Sequence, residues 1–220
     1  VATNSTTTCS SNMSGASVAV INTLPNVYAV SGGGSFCIGG AGVHVGLNFS
    51  NAGVNYQLYR GTTPVGALVP GSNAGLDMGL QTVVGSYSAV AIDATTGCTR
   101  NMSGSTTVST NPLPNTFAVT GGGAYCSGAS GVHVGLSNSN TDIQYQLLYN
   151  GSPMGAPMGG TGSSLDFGLH TGAGNYTIVA TNNVTSCTSN MLSSASIIIN
   201  TLPGAYTVTG VGTSFCAGAG

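Results

Sequence analysis

The sequence is written almost three times over. Residues 98–136 read CTRNMSGSTTVSTNPLPNTFAVTGGGAYCSGASGVHVGL, and residues 9–47 read CSSNMSGASVAVINTLPNVYAVSGGGSFCIGGAGVHVGL. A third copy, CTSNMLSSASIIINTLPGAYTVTGVGTSFC, starts at Cys187. Cys9, Cys98 and Cys187 are spaced 89 residues apart, and a period of that size marks a chain of like structural units stacked or strung together. What recurs includes a joint: the last strand of one unit, an Asn-x-Leu-Pro hinge and the opening of the next. The hinge residues are Leu24 and Pro25, Leu113 and Pro114, and Leu202 and Pro203.

The period predicts two whole modules, residues 26–114 and 115–203, flanked by the tail of a preceding module (1–25) and the head of a following one (204–220). The whole copies align without a gap and agree at a little under half their positions. Each is long enough to bury a small core of its own. The chain begins and stops inside modules and shows no initiator Met, no signal peptide and no apolar run of membrane-spanning length. It is therefore expected to be part of something longer, with no membrane insertion in this segment.

Charge is nearly absent. Arg60 and Arg100 are the only fixed cations, and Asp77, Asp93, Asp142 and Asp166 the only side-chain anions, so 3% of residues are charged against about a quarter in ordinary domains. Without a basic patch there is no counterion release to drive nucleic-acid binding and no attraction to an anionic membrane. A surface of Ser, Thr, Asn and Gly suits packing, sugars or resistance to proteases.

Cysteines fall at Cys9, Cys37, Cys98, Cys126, Cys187 and Cys216. None has the close spacing of a zinc site, and regular spacing in such a chain reads as structural disulfides in an oxidising compartment. Two pairings are open. The long one, Cys37–Cys98 and Cys126–Cys187, closes each module on itself and leaves Cys9 and Cys216 for modules outside this chain. The short one ties Cys98 to Cys126 across the Leu-Pro joint. Loop-closure entropy separates them by less than about 1 kcal/mol. The long pairing is preferred because it lets a module staple itself independently of its neighbours.

Local patterning is that of strands throughout. Val43, Val45 and Leu47 alternate with His44 and Gly46, and Tyr56 and Leu58 with Gln57 and Tyr59, the period of a half-buried strand. Arg60-Gly61 and Asn150-Gly151 sit where a tight hairpin turns. A Gly-x-Tyr opens the strands at Tyr87 and Tyr176, as in the tyrosine corner of immunoglobulin-like sandwiches. A last strand is expected before each Leu-Pro, including residues 18–24, ended by a proline that has no N–H for a ladder. The glycine runs 32–34 and 121–123 have no helix after them to make a phosphate site, and the third copy inserts a residue there, so they read as kinks. Some seven short strands per module and no helical periodicity predict an all-β fold: tandem immunoglobulin-like Greek-key β-sandwich modules of about 89 residues, stapled by disulfides.

The idiom YCSGASGVHVGLSNSN, IQYQLLYNG, SSLDFGL, GNYTIVATNNVTSCTSNM and INTLPGAYTVTG resembles the tandem immunoglobulin-like repeats of very large secreted or cell-surface proteins of Bacteroidota, the kind exported by the type IX system. The resemblance covers the whole chain. It implies an extracellular stalk, adhesin or fibre whose export and anchoring signals lie elsewhere.

Residues with chemistry are few. His44 and His133 recur in V-H-V-G-L and read as polar residues on an outer strand face rather than metal ligands. Asp77 and Asp166 recur in L-D-x-G-L, but calcium wants several converging oxygens, so no metal or other cofactor is expected. There is no G-x-S-x-G elbow, and no enzyme is expected. N-x-S/T sequons stand at Asn4, Asn12, Asn48, Asn101, Asn150, Asn175 and Asn183; they make a glycoprotein one reading of the surface. The function expected is the structural repeat region of an extracellular filament, stalk or surface fibre, with neighbouring copies of the repeat as partners. The alternative is an adhesin-type module that binds carbohydrate or a partner cell surface.

Overall fold

The structure, a computed structural model, describes residues 1–210, 212 and 217; Cys216 and the rest of the expected following module's head lie outside the described residues. The chain divides into two compact units, Val1–Thr110 and Asn111–Gly220. Neither contains a helix among the described residues. A small hairpin, β1 (Ala2–Thr3) with β2 (Ser10–Ser11), precedes the first sandwich. That sandwich runs β3 (Val30–Gly32), β4 (Gly34–Cys37), β5 (Val43–Leu47), β6 (Val54–Arg60), β7 (Thr63–Pro70), β8 (Leu76–Gln81), β9 (Gly85–Asp93), β10 (Thr99–Asn101) and β11 (Thr106–Asn111).

The second unit repeats the plan as β12 (Val119–Gly121), β13 (Gly123–Cys126), β14 (Val132–Leu136) and β15 (Ile143–Tyr149). It continues with β16 (Ser152–Pro153), β17 (Met158–Gly159), β18 (Leu165–His170), β19 (Gly174–Asn182), β20 (Thr188–Asn190) and β21 (Ala195–Asn200). In each unit a three-stranded sheet faces a larger one. The orders are β3-β5-β8 against β4-β11-β9-β6-β7 in the first, and β12-β14-β18 against β13-β21-β19-β15-β16 in the second. This is an immunoglobulin-like arrangement, and each unit is completed by its own last strand.

Alternation puts the core between the sheets. Along β6, Val54, Tyr56 and Leu58 are buried while the residues between them are partly exposed; along β9 the buried set is Tyr87, Ala89 and Ala91. Val45, Leu58, Tyr87 and Val108 pack as one cluster. The second unit has one larger cluster that includes Val134, Leu136, Tyr145, Leu147, Tyr176, Ile178 and Ile197. With no Trp in the chain, tyrosines supply the bulk. Tyr56, Tyr87, Tyr145 and Tyr176 are all fully buried, and each hydroxyl finds a partner, as burial of a phenol requires. Tyr87 donates to the carbonyl of Val83 at 2.7 Å and Tyr176 to that of Gly172 at 2.9 Å; these are the tyrosine corners. Tyr56 and Tyr145 accept from the backbone N–H of Asn51 and Asn140, both at 2.9 Å. Burial pushes the Tyr56 and Tyr176 phenols above their usual range.

The glycine runs are kinks of a particular kind. Gly32, Gly33 and Gly34 have φ of 82°, 74° and 115°, and Gly121, Gly122 and Gly123 repeat this at 85°, 76° and 115°. The first strand pairs antiparallel in the small sheet through β3, turns at the glycines, and continues as β4 in the large sheet beside β11. In the second unit β13 lies parallel to β21, with Gly123 opposite Ile197 and Cys126 opposite Asn200. A Cβ on Gly32 would overlap the His44 carbonyl, and one on Gly121 that of His133. The hairpin at Asn150-Gly151 has φ of 48° and 84° and directly joins Tyr149 to Ser152, the two-residue turn its sequence predicts.

One expected strand is missing. Residues 12–29 carry no regular element, and Val18, Val20 and Ile21 are 83%, 75% and 96% exposed. The equivalent β21 is held on both sides, by Gly174–Tyr176 of β19 and by β13; residues 1–4 repeat only the far end of β19, Val179–Asn182, so neither pairing stretch has a counterpart in this sequence. A strand with nothing to pair with does not form.

Gly32→Ala or Gly121→Ala is expected to lower unfolding stability in urea by on the order of 3 kcal/mol. Tyr87→Phe, which only strands the Val83 carbonyl, should lose about 1–2 kcal/mol.

Candidate functional site: two cysteine-bearing poles and a histidine–aspartate pair

Each sandwich has two ends, and the cysteines sit at opposite ones. The chain comes into the first module at Pro25, whose carbonyl accepts from Arg100 at 3.2 Å. Pro25 is buried there, beside the backbone bonds that join Tyr28 and Val30 to Ser103. Cys98 is at this proximal pole: its carbonyl accepts from the N–H of Asp93 at 2.9 Å, just before Thr99 pairs with Ile92. The chain leaves along β11, which ends at Asn111 at the far pole. Cys37 ends β4 beside it, with Ser35 and Ser109 hydroxyls 2.7 Å apart and Thr106 donating to Gly32 at 2.7 Å.

The second unit gives the register in full. Cys187 caps the Asn182 end of β19, where its carbonyl accepts from the Asn182 N–H at 2.9 Å. Gly174, at the other end of β19, is opposite Ile197, and Cys126 is three residues further out, opposite Asn200. Eight residues of β19 and three of β21 therefore separate the two cysteines, roughly 35 Å at about 3.3 Å per residue. A disulfide tolerates a Cα separation of at most about 7 Å.

The expected pairings are corrected on this ground. Cys9, Cys98 and Cys126 are free thiols, whereas Cys37 and Cys187 are disulfide-bonded, so neither Cys37–Cys98 nor Cys126–Cys187 is closed. The short pairing fails too, because neither Cys98 nor Cys126 is bonded. A module cannot staple itself when its cysteines cap opposite poles.

Among the hinge residues, Pro25 and Pro114 are buried while Leu24 and Leu113 are exposed, as are Leu202 and Pro203. All seven sequon asparagines, Asn4, Asn12, Asn48, Asn101, Asn150, Asn175 and Asn183, are exposed. Three already use their side-chain oxygen on backbone N–H groups: Asn4 on Thr6, Asn48 on Ala29 and Asn150 on Asn175, each at 2.9 Å.

The structure joins the recurring histidine and aspartate of each module. His44 Nδ1 lies 2.7 Å from Asp77 Oδ2, and His133 Nδ1 lies 2.8 Å from Asp166 Oδ2. In both modules the pair straddles a register shift, between His44 and Gly46 on β5 and between His133 and Gly135 on β14. The Gly79 N–H and then His44 hold the Asp77 carboxyl below its usual range; for Asp166, His133 comes first and the Gly168 N–H second. Both pairs are more than half exposed, so solvent screens them and their worth is under about 1 kcal/mol. In the first module the pair borders a shallow groove of about 270 Å³ lined also by Ser31, Gly32 and Gly46. No third ligating side chain joins either pair among the described residues. The signal for the pairing was in the sequence: V-H-V-G-L and L-D-x-G-L recur together, with 33 residues from His to Asp in each copy.

No family model matches the chain, and no curated protein matches it. Solved structures that resemble it are immunoglobulin-like and fibronectin-III-like domain arrays. Fibronectin(III)-like modules of CbhA from Clostridium thermocellum share 13% identity at a TM-score of 0.41, over 82% of this chain and 100% of that one. A chimeric titin Z1Z2 tandem shares 13% at 0.29, over 76% and 95%. Sidekick-1 immunoglobulin domains 1–4 share 13% at 0.29, over 80% and 48%. At these scores the likenesses carry no weight of their own, and the assignment rests on the strand orders above. Disulfide-bonded sandwiches of this kind are typical of extracellular domains, and the fold is one that seldom carries catalysis.

Asp77→Asn and Asp166→Asn should change stability little at pH 7. Because the folded carboxyls are held low, their contribution is full above about pH 4 and lost as pH falls below it. Acid unfolding curves of the double variant are therefore expected to be shallower below pH 4 than those of the parent chain.

Proposed function

We propose that this chain is a structural repeat region of an extracellular filament, stalk or surface fibre, built by adding sandwiches end to end. The observation that carries the reading is polar: the chain comes in at one end of each module and leaves at the other, so every added module lengthens the array. The buried proline at the start of each module supports it, since it seats the hinge on the sandwich it leads into. A chain with 3% charged residues offers little to cleave for trypsin-like proteases and little to steer a charged ligand. Exposed asparagines along the modules leave room for glycans without disturbing the core.

Stretching single molecules by their ends in reductant tests this. Two successive unfolding events are expected, each releasing roughly 300 Å, the extended length of about 89 residues. Saturable binding of the same chain to an immobilised glycan or protein would instead favour the adhesin reading and overturn this one.

A further inference from the structure

The cysteines make a consistent set once sorted by pole. Cys98 and Cys187 occupy the same place in successive repeats, at the proximal pole; Cys37 and Cys126 occupy the distal one. In each class one member is disulfide-bonded, Cys187 and Cys37, and one is free, Cys98 and Cys126. Since the pole separation forbids closure within a module, each bond must reach a neighbour. The joint between successive modules is short. From Asn111 at a distal pole to Pro114 at the next proximal pole is three residues, at most about 11 Å of backbone.

We infer that the distal cysteine of every module is joined to the proximal cysteine of the module that follows. The rule deepens the end-to-end array reading and rests on it. By this rule Cys37 pairs with Cys187, Cys126 with the proximal cysteine of the next module along, and Cys98 with the distal cysteine of the module before. The partner is thus another copy of the repeat. Each bond forms by thiol–disulfide exchange with a disulfide donor, a small-molecule or protein disulfide. One thiolate attacks the donor to give a mixed disulfide, and the second displaces the donor sulfur. The two protons of the cysteine thiols end on the donor sulfurs, and the donor, reduced by two electrons, leaves as two thiols.

The consequence is mechanical. The 28 residues from Cys98 to Cys126 run the length of one module as β10 and β11, cross the joint, and run the length of the next as β12 and β13. They already cover two pole-to-pole lengths of roughly 35 Å each, and 28 residues reach at most about 100 Å. Disulfides at both ends link such segments into a continuous covalent rail. A second rail, through Cys37 and Cys187, is offset by one module. Tension passes along the rails and bypasses β5 to β9 and β14 to β19, so pulling cannot draw the modules out.

The test is a disulfide map of native material, thiols blocked before digestion without reduction, paired with stretching of the oxidised 220-residue chain. The map should show Cys37 peptides linked to Cys187 peptides and Cys126 peptides linked to a proximal cysteine of another repeat. Stretched oxidised chains should be shorter by about 500 Å than reduced ones, the length of the residues between Cys37 and Cys187, and Cys187→Ser should restore the full length without reductant. Cys37–Cys98 or Cys98–Cys126 links, or free thiols at Cys98 and Cys126 in native material, would overturn the rule. So would equal lengths before and after reduction. Two unfolding events in reductant would still uphold the end-to-end array in either case.

Discussion

The three-glycine switch at the start of each module is the constraint on which the rest depends. Three consecutive residues with positive φ are a conformation that only glycine takes without strain; a Cβ on the first would overlap a carbonyl of β5 or β14, and one on the second would crowd the last strand at Thr106 or at Ser196. The switch lets one strand serve both sheets. Its first half closes the small sheet; its second half lies parallel to the last strand and carries a cysteine to the pole where the chain leaves. If the chain continued straight, the cysteine would stay in the small sheet, and the large sheet would lose its outer strand beside β11 or β21.

Around that switch the modules solve a packing problem without Trp and with hardly any charge. Four fully buried tyrosines fill the space between the sheets, and their hydroxyls serve backbone groups at the corners: Val83 and Gly172 carbonyls, Asn51 and Asn140 N–H groups. Each tyrosine therefore supplies apolar bulk and also fixes a loop. The His–Asp pairs do a smaller, similar job on the outside, where a register shift in β5 and β14 opens the ladder. Stability is kept in the core and at the corners, and the surface is left neutral.

Much of this was legible in the sequence. Alternation at residues 43–47 and 54–60, the Asn150-Gly151 turn and Gly-x-Tyr at Tyr87 and Tyr176 are local signals, and local geometry obeyed them. The disulfide partners were not legible, because a pairing depends on which pole each cysteine caps, and that follows from the parallel placement of β13 on β21. Spacing along the chain suggested a module closed on itself; the strand register puts its two cysteines roughly 35 Å apart. The strand expected at residues 18–24 failed for a related reason, since its pattern is that of β21 but the stretches it would pair with have no counterpart in this sequence. The His44–Asp77 and His133–Asp166 pairs were visible as recurring residues but not as contacts, since a bulge sets their approach.

Electron microscopy of the native material measures most directly the proposed extension of modules along one axis. A thin filament is expected, with an axial repeat set by one module, about 40 Å for eleven strand residues and a short joint. Compact particles, or sandwiches packed side by side with no such axial repeat, would contradict it.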